Sequence, residues 1–203
     1  MNYLKNILTI LFVIMMLSSC GNESNKVTRE IENATQTVKN SKKVAESASD
    51  MQKNVQLLRT MEHLTKEQWE TWLPETVLGM PLTTPQINFL PGLGSCSANY
   101  KVGNKRIRVM VIDGAGERGA SGVGPYRMSS KMDYDSSDKR GYTKTAVIDG
   151  VKAKKSYVKT SGMYSLSMFY ADRFAVDIET HEFTEDMLEK IVKELNLSTL
   201  KSF

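Results

Sequence analysis

The chain has little of what staples or plates a small protein. Its 203 residues hold two cysteines and two histidines, too few for a disulfide scaffold or a zinc finger. Charge of one sign is also scarce, because 27 Lys and Arg stand against 23 Asp and Glu. A formal +4 lacks the dense basic stripe that nucleic-acid binding requires, so no nucleic-acid partner is expected. No internal repeat and no alternation of strand and helix patterns is present, which argues against solenoids and parallel βαβ folds. With 40% hydrophobic residues, the composition is that of one ordinary globular domain plus a tail.

What is present begins at the N-terminus. The apolar run from Ile7 to Leu17 is eleven residues long. That is short of the ~20 residues a membrane-spanning helix needs and matches the core of a signal peptide. Lys5 precedes it, and Leu17-Ser18-Ser19-Cys20 follows. These four residues resemble the lipobox of bacterial lipoproteins. The resemblance implies lipid transfer to Cys20, cleavage ahead of it and acylation of the new terminus, making the bilayer a partner through acylated Cys20. Acyl chains contributing roughly 0.8 kcal/mol per buried methylene hold a protein to a membrane without a spanning helix. Gly21, standing where an Asp would retain the protein, implies the outer membrane, with the domain facing the periplasm. Loss of Lys5 with the signal leaves a mature charge of +4 − 1 = +3.

Residues 1–19 are thus expected to be the signal peptide and 20–62 a tether and helical spacer, flexible over Gly21 to Asn25. Val27, Ile31, Ala34 and Val38 recur at helical spacing. Met51, Val55, Leu58 and Met61 resume the stripe after a phase slip near Ala48. The stripe is thin and broken by Ser41, Ala45 and Ala48, so a single amphipathic helix is favoured over a stable coiled coil. Weak self-association through it is the other expectation.

Residues 63–203 read as an α+β domain: an antiparallel sheet of five or six strands packed by a C-terminal amphipathic helix. Thr65-Lys66-Glu67-Gln68 is a capping box ahead of a short helix that Pro74 ends. Its Trp69 and Trp72 read as a lid on the core. Arg106–Ile112, Thr143–Ile148, Val151–Tyr157, Tyr164–Tyr170 and Arg173–Ile178 carry strand alternation. Asp149-Gly150 and Ala171-Asp172 mark two hairpins. The last helix is expected from about Thr184, with Leu188, Ile191, Val192 and Leu195 on its apolar face.

Candidate chemistry is sparse, with no catalytic group, cofactor or metal expected. Gly114-Ala115-Gly116-Glu117-Arg118-Gly119 has dinucleotide-binding spacing, but Gly122, Gly124 and Pro125 argue against the long helix that must follow. A glycine-rich loop is the expectation there. Its length exceeds what a hairpin needs, which makes Arg118 and Tyr126 candidate partner contacts. Asp133–Asp138 resembles a calcium loop but lacks the sixth-position Gly and twelfth-position Glu, so it reads as a solvated acidic turn. Lys152, Lys154, Lys155 and Lys159 read as charges protecting a sheet edge. Cys96, unpaired once Cys20 is lipidated, lies among small residues and reads as buried, with a reactive thiol the alternative. His63 and His181 stand far apart in sequence with no evident nucleophile or third ligand.

The region from Thr65 to Leu200 is similar to bacterial lipoproteins in which a Leu-Pro-Glu lead-in, here Leu73-Pro74-Glu75, precedes a small sheet and a C-terminal helix. That resemblance transfers no activity. The expected function is a lipid-anchored envelope protein with a non-enzymatic binding or scaffolding domain and an envelope protein as partner. The alternative is a small envelope hydrolase or other enzyme with a site assembled across the sheet.

Overall fold

A computed structural model describes residues 21–203, with side chains from Thr28 onward. The lipobox and Cys20 lie outside the described residues. The chain divides into two units at Lys39/Asn40, and the second runs from Asn40 to Phe203. Residues 40–62, expected in the spacer, therefore belong to the compact unit. Helix α1 spans Gly21–Glu46 and α2 spans Ala48–Arg59. They meet at Ser47, where the apolar stripe slips phase. Gly21–Asn25, expected as a flexible tether, is part of helix α1. In the first unit Ile31 and Val38 are exposed. In the second, Val55, Leu58 and Met61 pack against the sheet.

The capping box at Thr65 is formed in both directions and starts α3, Lys66–Trp72. Leu73 is extended ahead of Pro74, which ends the helix. Trp69 and Trp72 are buried and meet edge to face, and the Trp72 indole donates to the Leu195 carbonyl at 2.9 Å. A two-stranded sheet of β1 (Thr76–Val77) and β2 (Met80–Pro81) follows.

The main sheet has eight strands, not five or six. They are β3 (Gln86–Ile87), β4 (Ser95–Val102), β5 (Lys105–Asp113), β6 (Asp135–Asp138), β7 (Gly141–Ile148), β8 (Val151–Val158), β9 (Met163–Tyr170) and β10 (Phe174–His181). The order is β3-β4-β5-β10-β9-β8-β7-β6, with every neighbour antiparallel. Asp149 and Gly150, at φ 49° and 75°, make the expected two-residue turn between Ile148 and Val151. Ala171 and Asp172 are also left-handed, but Arg173 joins them in the turn, and Tyr170 pairs with Phe174.

One face of the sheet carries Ile107, Val109, Val111, Val176 and Ile178, all buried. Against it pack α3, helix α6 (Met187–Glu194) and a 3₁₀ turn over Leu197–Ser202. Helix α6 starts three residues after Thr184, whose hydroxyl is spent on the Asp186 carboxylate. Leu188, Ile191, Val192 and Leu195 are buried as its spacing implies. On the other face Leu58, Ile112, Ala120, Val123, Phe169 and Ala175 form a second, smaller core. Among the described residues no helix is long and apolar enough to cross a membrane.

Candidate binding site

The glycine-rich segment is not a loop. It folds into α4 (Gly116–Gly122) and α5 (Gly124–Ser129), with Pro125 in the first turn of α5. Its glycines serve close approach: a Cβ on Gly114 would meet the Arg173 carbonyl oxygen at 2.5 Å, and one on Gly119 the Asp113 carbonyl oxygen at 2.7 Å. Its length is topological. The chain leaves β5 inside the sheet and re-enters as β6 at the far edge, five strand spacings or about 24 Å away. No connection between adjacent strands is involved, so the premise that pointed to Arg118 and Tyr126 as partner contacts falls away.

The two side chains have different surroundings. Arg118 is exposed and lies over Gly92. Tyr126 is half-buried, and its hydroxyl donates to the Asp177 carboxylate, which also accepts from the Ser167 hydroxyl. Burial first, then that hydrogen bond and charge, pushes the Tyr126 phenol well above its usual range. Polar ties of the same kind hold the rest of this layer. The buried Arg127 donates to Asn54 Oδ1 at 2.6 Å and to the Ala120 carbonyl at 3.2 Å. Asp133 is gripped by Lys152 at 2.5 Å and by Lys43, while its backbone exchanges two 2.8 Å bonds with the Asn40 amide. The hydrogen bonds from Lys152 and Lys43 hold the Asp133 carboxyl below the usual range. The rest of the expected acidic turn is strand β6.

Where β5 ends, Asp113 and Arg173 form a buried, two-pronged ion pair, with Nε–Oδ1 and Nη2–Oδ2 both 2.7 Å. The same carboxylate accepts from Leu64 N at 2.8 Å and Ala115 N at 3.0 Å. Arg173 also donates to the Glu62 carbonyl at 3.1 Å. This pair therefore pins the segment that crosses the end of the sheet between α2 on one face and α3 on the other. Nothing in the local pattern around Arg173 marked it as buried.

Other sequence candidates are dispersed. Cys96 is buried, and burial pushes its thiol up to about 12. Strand β8 lies inside the sheet, so its lysines guard no edge; Lys155 pairs with Glu185, and Lys154 sits 5.8 Å over the Tyr134 ring. His63 is beside Gly94 at the Asp113 end of the sheet, whereas His181 ends β10 opposite Arg106. No group of three His, Cys, Asp or Glu able to hold a metal exists among the described residues.

The helices cover only part of the second face. Beyond them Thr143, Ser156, Ser165, Glu179 and Arg108 form a polar floor, with Thr143 and Ser156 hydroxyls 3.1 Å apart and Arg108 3.7 Å from Glu179. One residue pair further along, the floor ends in a surface cavity of about 330 Å³ bounded by Lys101, Gly103, Asn104, Arg106, Ser161, His181 and Glu182. Sequence reading passed over this cavity because Lys101, Arg106 and His181 meet only through strand register. The Gly103-Asn104 pair between two strand patterns was a legible turn signal at its rim. No known protein family, curated protein or solved structure matches this chain.

Proposed function

We propose that this is a lipid-anchored protein of the bacterial envelope whose sheet unit acts as a non-enzymatic binding or scaffolding domain. The observation that carries the anchoring is the run Ile7–Leu17 ending in Leu17-Ser18-Ser19-Cys20. Cleavage ahead of Cys20 would make Cys20 the N-terminus of the mature chain and α1 its link to the lipid. Outer-membrane placement rests on Gly21, and the domain then faces the periplasm. The binding reading is supported by the polar floor on the second face, a surface of hydroxyls and paired charges beside the helical layer. Helix α1, with Ile31 and Val38 exposed, supplies a surface for weak self-association.

Metabolic labelling of the full-length protein with an alkyne fatty acid tests the anchor. The expected outcome is label and membrane sedimentation for the native chain and neither for Cys20→Ala, whose precursor stays uncleaved. A Cys20→Ala protein that still carries label and sediments with membranes overturns the reading.

A further inference from the structure

Three of the eight basic side chains in the strands of this sheet have acidic partners: Arg108 has Glu179, Lys152 has Asp133 and Lys155 has Glu185. The row at the end of the second face sets two of the others side by side. Lys101 on β4 stands directly opposite Arg106 on β5, and Arg106 directly opposite His181 on β10. Neither Lys101 nor Arg106 has a carboxylate within ion-pairing distance among the described residues. Like charges directly across a strand pair disfavour each other, and at these exposed positions solvent screens the repulsion without removing it.

Two further observations fall at the same place. The Arg106 guanidinium lies 2.8 Å from His181 Nε2. A guanidinium only donates, so Nε2 is the acceptor, and this contact turns the fork while leaving it further N–H donors. Glu182, the next residue, holds a left-handed backbone at φ 62°. Asp149, Ala171 and Asp172 hold the same region in hairpin turns, and at Glu182 it turns the chain away from the end of β10 beside the cavity. The turn at Gly103, φ 58°, closes the cavity from the β4–β5 side.

We propose that this cavity binds an oxyanion of the phosphate type, gripped by Arg106 and Lys101 with His181 beside it. The proposal rests on the reading of the sheet unit as a binding domain and names its ligand chemistry. An oxyanion accepts from the guanidinium fork and the ammonium at once, and its charge removes the repulsion across the Lys101–Arg106 pair. At about 330 Å³ the cavity has room beyond the anion for the body of a small organic phosphate or a phospholipid headgroup. Glu182 also lines the cavity, and its negative charge, which any anion must overcome, disfavours ligands of higher negative charge.

With two histidines in the chain, isotope-labelled histidine gives two resonances, and His181→Asn assigns them. The full-length protein in detergent is titrated with inorganic phosphate at fixed pH, with chloride holding ionic strength constant. The His181 signal should move saturably and the His63 signal should stay still. Arg106→Gln and Lys101→Gln should each weaken the response about tenfold. Vesicles of phosphatidylcholine with and without phosphatidic acid distinguish the source. A headgroup ligand moves His181 with phosphatidic acid, and inorganic phosphate competes it away; a free ligand leaves vesicles without effect. No saturable His181 shift with phosphate or with phosphatidic acid overturns the proposal, as does an unchanged response in both substituted proteins. Failure of the Cys20 labelling would leave this titration untouched, so the anchor and the site fail separately.

Discussion

The two faces of the main sheet are covered by different means. On the first, α3, α6 and the 3₁₀ turn lay Trp69, Leu188, Ile191, Leu195 and Leu200 against buried positions of β4, β5, β9 and β10. That layer needs little beyond apolar area, at roughly 25 cal/mol per Å² buried. On the second face the apolar cluster is small, and α2, α4 and α5 are set in place by specific polar ties through Arg127 and Tyr126, while Asp133 ties Asn40 and Lys43 of α1 to Lys152 of β8. Each tie contributes modestly, about 0.5–1.5 kcal/mol for a neutral hydrogen bond and more where one partner is charged. A layer held by geometry can stop partway across a sheet. One held by hydrophobic burial spreads until the apolar surface is covered. The floor and the cavity exist because the second layer stops.

The Asp113–Arg173 pair sits where the chain passes from one layer to the other, and breaking it should have the largest effect. Arg173→Met leaves a fully buried carboxylate without its counter-charge, and a loss of about 3–5 kcal/mol is expected in urea melts. Adding Asp113→Asn to that protein should restore part of the loss, because the amide carries no charge to strand. A double variant no more stable than the single one would mean that the pair acts through shape and not through charge.

The layers themselves can be weighed by one large-to-small change in each. Leu188→Ala, in the first core, should cost about 2–5 kcal/mol. Leu58→Ala should fall at the low end, about 2 kcal/mol, because α2 can settle into the space left beside a small cluster. Equal costs would show that both layers melt as one hydrophobic body. A silent Leu58→Ala in the global melt, with faster amide exchange in α2, would show that the second layer opens by itself.

The smallest effect separates the two residues of the α4–α5 segment. Tyr126→Phe should lower stability by about 1 kcal/mol, since Asp177 keeps Ser167 but loses the phenol. Arg118→Ala, at an exposed position, should leave the urea midpoint unchanged. If both are silent, the Tyr126–Asp177 contact holds nothing and the second layer depends on its apolar cluster alone.

The central strands, both hairpin turns, the capping box, the burial of the tryptophans and Cys96, and the apolar face of α6 were all legible in the sequence. Each follows from a local period or turn chemistry. Strands β3, β4 and β6 were not, and the reason differs. Strands β3 and β6 are short and β6 is polar and exposed throughout, paired by backbone alone. Strand β4 opens with Ser95, Cys96, Ser97 and Ala98, whose small side chains carry no strand preference but let the chain before it pack closely. The crossover from β5 to β6 was invisible because glycine spacing looks the same whether a segment is mobile or pressed against a backbone.

The amino-acid order by itself determined the local elements, through period, capping and turn residues that act over a few positions. Tertiary structure decided which strands are neighbours, and with them the partners of every charge. Arg108 meets Glu179, Arg173 meets Asp113, and Lys101, Arg106 and His181 are left in one unbalanced row. Those residues are distant in the chain, and strand register, which sums weak preferences over the whole sheet, is what brings them together.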